Sequence, residues 1–279
     1  MIIIKTEKEI EIMRKGGKIL ASILKKILNE IKPEVTTGLL EEMACEMMNK
    51  AGGRPAFKGY VTSLDEKPFP TCLCTSINSE IVHAPSLPSR ILKDGDIIGI
   101  DIGMEYPAFE NALKGKPDYN YPVTGYYTDM AYSIGVGRIS NEAKKLLKVT
   151  KKALELAIKK AKPGNTINDI GYTVESYAES NGFSVVRDLV GHGVGKAIHE
   201  DPQVLNFKVS DKSSENITLR PGMTIAIEPM VNTGGWKIKY NEGEHTIVTA
   251  DGSLSAQFEH TIAITKNGNI VLTAFNILK

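Results

Sequence analysis

Apolar residues recur at three- and four-residue steps from residue 7 to about 31, where Ile10, Met13, Ile19, Leu20, Ile23, Leu24, Ile27 and Leu28 mark one face of an amphipathic helix. Lys32-Pro33 breaks it. Thr36 or Thr37 can then cap a second helix through Leu39, Leu40, Met43 and Met47, which ends at Gly52-Gly53. The pattern turns to that of β-structure in ILKDGDIIGIDIG at 91–103, a turn signal followed by a run of β-branched residues. From Ser140 the same order returns. An amphipathic helix runs through Leu146, Leu147, Leu154 and Ile158, Lys162-Pro163 breaks it, and Thr166-x-x-Asp169 opens another helix that ends near Asn181-Gly182.

The two stretches can be laid on each other. IKPEVTTG at 31–38 falls on AKPGNTIN at 161–168, DGDIIGID at 94–101 on PGMTIAIE at 221–228, and TDMAYSI at 128–134 on FEHTIAI at 258–264. Asp101 then matches Glu228, and Asp129 matches Glu259. A period this long is not a solenoid repeat. It predicts a duplicated α+β unit, with half-repeats at about 7–135 and 140–270, whose halves meet around a pseudo-twofold axis and bring matching acids to it.

Asp101 lies between Ile100 and Ile102, and Glu228 lies in TIAIEPM, so each carboxylate falls in an apolar strand where an unpaired charge is costly. One such acid alone reads first as a buried partner for Lys or Arg or as a strand-end cap. Four at matched positions favour divalent cations, which packed anions need more than they need one another. The five histidines are His83, His192, His199, His245 and His260. Glycines at 191, 193 and 195 flank His192 and leave room for a close approach to the backbone. His192 and His199 are too far apart for the HExxH zinc helix. One imidazole with four carboxylates suits Mn(II), Fe(II), Co(II) or Zn(II). Two such ions balance the four acids, and paired metals generate a hydroxide nucleophile at neutral pH, so the expected chemistry is hydrolysis.

Composition narrows the setting. At 279 residues the chain is long enough for one large domain or two intimately packed halves, and 42% hydrophobic with 24% charged residues is ordinary globular usage. Lys plus Arg at 34 against Asp plus Glu at 33 leaves a net charge of +1, which does not ask for a nucleic-acid or other polyanionic partner. No secretory signal pattern and no long apolar span is visible, so no membrane association is expected. The cysteines, Cys45, Cys72 and Cys74, are odd in number and sparse, which speaks against a disulfide framework and for a reducing, cytoplasmic setting.

The stretches CTSINSEIVHAPS (74–86), DGDIIGIDIG (94–103), VGHGVGKAIHEDPQV (190–204), GMTIAIEPMV (222–231) and SLSAQFEHTIAIT (253–265) closely resemble the type I methionine aminopeptidases. That group shares the pita-bread fold with proline dipeptidases and creatinases. The resemblance covers nearly the whole chain and implies a single α+β catalytic domain over 1–279, two pseudo-twofold-related halves around a central antiparallel sheet with helices outside. It implies two divalent ions held by Asp101, Asp129, His192, Glu228 and Glu259, with Asp129 and Glu259 bridging. Glu228 would also shuttle a proton. His199 would hydrogen-bond the scissile carbonyl oxygen, His83 would contact the scissile amide or the leaving amine, and Cys74 would stand beside the methionine side-chain pocket. Cys74 reads equally as a small buried hydrophobe. The implied activity removes initiator methionine before a small second residue, by a monomer acting on nascent polypeptide N-termini as they leave the ribosome.

Three departures stand out. His245 and Ile198 occupy positions often aromatic in the family, which predicts a reshaped pocket. The two aspartates are separated by residues 102–128, rich in tyrosine and interrupted by Pro107, Pro117 and Pro122, where the family has a short hairpin. Residues 104–128 are therefore expected to form an inserted aromatic loop rather than a helix, folded over the metal mouth or contacting a partner, or else a passive surface insertion. Two alternatives remain in view: an Xaa-Pro aminopeptidase or proline dipeptidase with the same metals, and a catalytically silent pita-bread binding module. The first is disfavoured because only about 80 residues precede His83, and such relatives usually carry a further N-terminal domain. The second is disfavoured because such members lose metal ligands.

Overall fold

The computed structural model describes residues 1–61, 67–108, 124–240 and 245–274. Helix α1 (Glu7–Glu30) begins where the Glu9 N–H donates to Thr6 Oγ1 and the Thr6 N–H donates to the Glu9 carboxylate. Helix α2 (Thr37–Lys50) is capped by Thr36. Strands β1 (Arg54–Pro55), β2 (Leu73–Ile77), β3 (Glu80–Val82), β4 (Ile97–Tyr106) and β5 (Tyr126–Gly135) follow. Then α3 (Asn141–Lys160) starts behind Ser140, and α4 (Ile167–Ser180) starts where Asp169 accepts the Thr166 N–H. The chain closes with β6 (Ser184–Val185), β7 (Gly191–Gly193), β8 (Glu200–Val204), β9 (Thr224–Ile227) and β10 (Met230–Asn232). After these come β11 (Ile238–Tyr240), β12 (Ile247–Thr249), β13 (Ser255–Gln257), β14 (His260–Thr265) and β15 (Gly268–Val271).

The long pair β4 and β5 runs antiparallel from Ile97↔Gly135 to Tyr106↔Tyr126. Its two-residue period sorts the side chains. Ile98, Ile100, Ile102, Met104 and Met130 pack with Leu20, Leu24 and Ile27 of α1 and Leu40, Ala44 and Met48 of α2. Asp101 and Asp129 consequently face away from those helices. Cys74 lies opposite Asp101 in the β2–β4 ladder and shares its face.

The same sorting operates on β9 and β14. Ile225, Ile227, Ile262 and Ile264 join α3 and α4 in a second core. The last paired rung is His260↔Ile227, and Glu228 and Glu259 are the next residues beyond it, on the face away from the helices. The two acid-bearing faces are joined edge to edge. Tyr132 bridges to Phe258, the Glu259 N–H donates to the Ala131 carbonyl at 2.9 Å, and Ser133 Oγ donates to the Gln257 carbonyl at 2.7 Å.

Two expectations need correction. Residues 104–106 and 126–128, assigned above to the insertion, are paired strand residues of β4 and β5, because the ladder simply continues past the two aspartates. The part between the strands spans 107–125, and the expected aromatic loop at 109–123 lies outside the described residues. The second correction concerns sulfur: Cys45 of α2 is bonded to Cys72, with Cα atoms 6.1 Å apart. Glu41, one turn ahead of Cys45, accepts the N–H groups of Cys72 and Leu73 and so draws that segment across the helix. Sequence spacing carries no sign of this crossing. Among the described residues no helix is long and apolar enough to cross a membrane.

Candidate metal centre

Asp101, Asp129, Glu228 and Glu259 are all buried, the least exposed being Glu259 at 1% and the most exposed Glu228 at 9%. His192 joins them from β7. A Cβ on Gly191 would lie 2.4 Å from the Ala226 carbonyl oxygen, and one on Gly193 would lie 2.2 Å from that of Asp201. The glycines beside His192 therefore admit the backbones of the neighbouring strands, and that close approach delivers the imidazole to the acids. His192 Nε2 stands 3.5 Å from Glu228 Oε1 and 4.0 Å from Asp129 Oδ2. Donor atoms of Asp129, His192 and Glu259 all lie within 4.8 Å of one another.

The electrostatics of this arrangement are unfavourable without a cation. Burial, then the neighbouring carboxylates, pushes Asp101, Glu228 and Glu259 well above the usual carboxylate range, and burial raises Asp129 to about 7. Burial lowers His192 to about 4, leaving a neutral imidazole with a free electron pair to offer. Asp101 Oδ1 and Glu259 Oε1 are buried and accept no hydrogen bond from the described residues. Oxygen atoms held unpaired in that way suit a divalent ion better than any proton donor present. The donor set of four carboxylates and one imidazole fits such ions.

The centre lines a cavity of about 910 Å³ together with Cys74, His83 and His199, so the four acids, the His192 imidazole and these three residues share one space. No lysine or arginine is among the described residues lining it. His83 follows β3 in the left-handed region at φ 59°, a conformation that costs a non-glycine residue energy and recurs at functional sites. The His199 ring lies edge-on to His192 with centroids 4.4 Å apart, and burial lowers its pKa to about 3.

Several wall and support residues were not anticipated. Tyr60 OH lies 2.7 Å from His199 Nδ1, and Gln257 Nε2 donates to Glu228 Oε2 at 3.1 Å. Phe57 and Phe69 add aromatic wall, and His245 packs edge-on against Phe69 at 5.2 Å. Gln257 sits inside the quoted SAQFEH stretch, so its neighbourhood was visible and its contact was not. Ile198 does not line the cavity; it packs with Met13, Ala56, Tyr127 and Val194.

Buried acids facing one another beside an open cavity, on two joined antiparallel pairs with helices outside, make a site for divalent cations, and a match to a metallopeptidase family makes the chain a metal-dependent hydrolase. The chain belongs to metallopeptidase family M24, whose model matches residues 11–110 and 117–266. It is 42% identical to a methionine aminopeptidase of Clostridium perfringens over 274 residues, covering 98% of this chain and 99% of that one. The crystal structure of the Thermotoga maritima methionine aminopeptidase superposes with a TM-score of 0.86 at 39% identity, covering 99% of this chain and all of that one. A prolidase from Pyrococcus horikoshii, at 23% identity and a TM-score of 0.71, matches 98% of this chain but 64% of its own length and shares the fold alone. The fold is the pita-bread fold expected from the sequence.

Proposed function

We propose that this chain removes the N-terminal methionine from newly made polypeptides by metal-assisted hydrolysis, with preference for a small second residue. The observation that carries the proposal is the set of four buried carboxylates around His192, without a lysine or arginine in the described lining, in one cavity with Cys74, His83 and His199. Asp101, Asp129, His192, Glu228 and Glu259 hold two divalent cations, two of the acids coming from each of the half-repeats at about 7–135 and 140–270. When bound, such ions activate water near neutral pH and polarise the scissile carbonyl.

The remaining work falls to the protein. Glu228, its carboxylate steadied by Gln257, takes the proton of the attacking water and passes it on. His199, neutral and with Tyr60 at Nδ1, presents its Nε2 proton to the carbonyl oxygen as charge develops there. His83 contacts the scissile amide or the leaving amine. Cys74, which lines the same cavity as Phe57 and Phe69, receives the thioether, which favours soft and aromatic neighbours. This reading carries with it a cytoplasmic monomer that meets nascent N-termini near the ribosome.

The test is mass-spectrometric product analysis of metal-stripped protein, re-supplied with Mn(II), Co(II) or Fe(II), acting on Met-Ala-Ser and Ala-Pro-Ser together. Metal-dependent release of methionine alone is expected. Cleavage before proline would transfer the chain to the prolidase activity, and no cleavage with any metal would overturn the enzymatic reading.

A further inference from the structure

Lys5 and Glu200 form an ion pair whose side chains are 1% and 3% exposed, at the end of the chain stretch that precedes α1. Glu200 directly follows His199 at the start of β8, and both residues line the cavity. The Glu200 carboxylate turns back on the 195–200 loop, where one oxygen accepts the N–H groups of Lys196 at 2.5 Å and Ala197 at 3.1 Å. The other oxygen holds the Lys5 ammonium, which also donates to the Ile3 carbonyl at 3.3 Å.

The lysine reaches this position through a tight slot. A Cβ on Gly195 would lie 2.4 Å from Lys5 Cε, so the glycine is where the aliphatic stem crosses the loop. The same arm is fixed at its backbone, since the Lys5 N–H donates to the Gly222 carbonyl at 2.8 Å just ahead of β9. On its far side the loop is tied to β5, where the Tyr127 N–H donates to the Gly195 carbonyl at 2.7 Å. The loop is thus held on one side by Lys5 and on the other by Tyr127, and the Lys5–Glu200 contact is made by the residue next to His199.

We propose that Lys5 and Glu200 are positioning residues that fix the 195–200 loop and, through it, the imidazole of His199 at the substrate carbonyl. This rests on the role proposed for His199. Neither residue need touch the substrate; a small displacement of His199 is enough to weaken a hydrogen bond that matters only as charge develops.

The test is a cycle on Mn(II)-loaded protein with Met-Ala-Ser. The double variant Lys5→Met/Glu200→Gln replaces the pair by neutral chains of similar length and leaves no unpaired buried charge. Its kcat should fall about ten-fold with KM changed by less than about two-fold. Made in a His199→Ala background, the same change should alter kcat by less than about two-fold, because the group being positioned is gone. An equal fold-loss in both backgrounds, or no loss in either, would overturn the proposal. Should the double variant not fold, Glu200→Gln alone keeps an oxygen for Lys196 and Ala197 and is read through the same cycle. A wild-type kcat in His199→Ala by itself would instead remove the role given to His199, and with it the basis of the positioning.

Discussion

Asp129 and Thr261 exchange two hydrogen bonds across the join between the two acid-bearing strand pairs. The Asp129 N–H donates to Thr261 Oγ1 at 2.9 Å, and the Thr261 hydroxyl donates to the Asp129 carbonyl at 2.7 Å. One hydroxyl therefore sets an acid of β5 against the strand entered by Glu259. Both residues are buried. Thr261→Val keeps the shape but leaves two backbone groups unsatisfied, at a cost of about 1–3 kcal/mol. A lower melting temperature and weaker Mn(II) binding by calorimetry are expected; an unchanged melt would show that the join does not depend on this hydroxyl.

Glu228→Gln separates chemistry from folding. The amide cannot accept the proton of the attacking water, and loss of a general base typically costs about 10²–10⁴-fold in kcat. Burial and the nearby Asp129 raise the Glu228 pKa well above the usual range, so the metal-stripped fold already prefers this group uncharged. The metal-stripped variant should melt no lower than the parent. Retained turnover in a steady-state assay would refute the role.

Metal removal and pH are linked through the same acids. With Asp129 raised to about 7, the folded metal-stripped protein holds a proton that the unfolded chain has already released. Stability from this group is complete below about pH 4 and lost as pH rises through about 7. Asp101, Glu228 and Glu259 are shifted in the same direction. His192, lowered to about 4, acts oppositely and withdraws stability as pH falls below its ordinary value toward 4. In EDTA the melting temperature should therefore fall from about pH 6.5 to about pH 8. Saturating Mn(II) should reverse that slope, because binding displaces protons and tightens as pH rises. A melt that rises over this interval in EDTA would contradict the burial of the acids.

Tyr60→Phe removes the hydroxyl at His199 Nδ1 while retaining the edge-on ring contact, whose centroids are 5.1 Å apart. A hydrogen bond of about 0.5–1.5 kcal/mol corresponds to a roughly two- to ten-fold loss of kcat on Met-Ala-Ser. The loss should appear in kcat rather than KM. A change confined to KM would make Tyr60 a wall residue only.

Much of this molecule is written locally. The steps of Leu20, Leu24 and Ile27 set the buried face of α1, Thr36 and Ser140 set the starts of α2 and α3, and the alternation around Asp101 set the face that this acid shares with Cys74. These features depend on residues within a turn or a strand of one another, so sequence periodicity expresses them. The pairing of Asp101 with Glu228 and of Asp129 with Glu259 was visible for the same reason: matched acids occupy matched steps of two similar patterns.

What the tertiary structure decided are contacts between elements far apart in the chain. Tyr60 meets His199, Gln257 meets Glu228, Cys45 meets Cys72, and Lys5 meets Glu200. Ile198 turns into the core instead of the cavity. Periodicity fixes which side of its own helix or strand a residue occupies, whereas partner choice depends on how two elements cross, and that is settled only when both cores are packed.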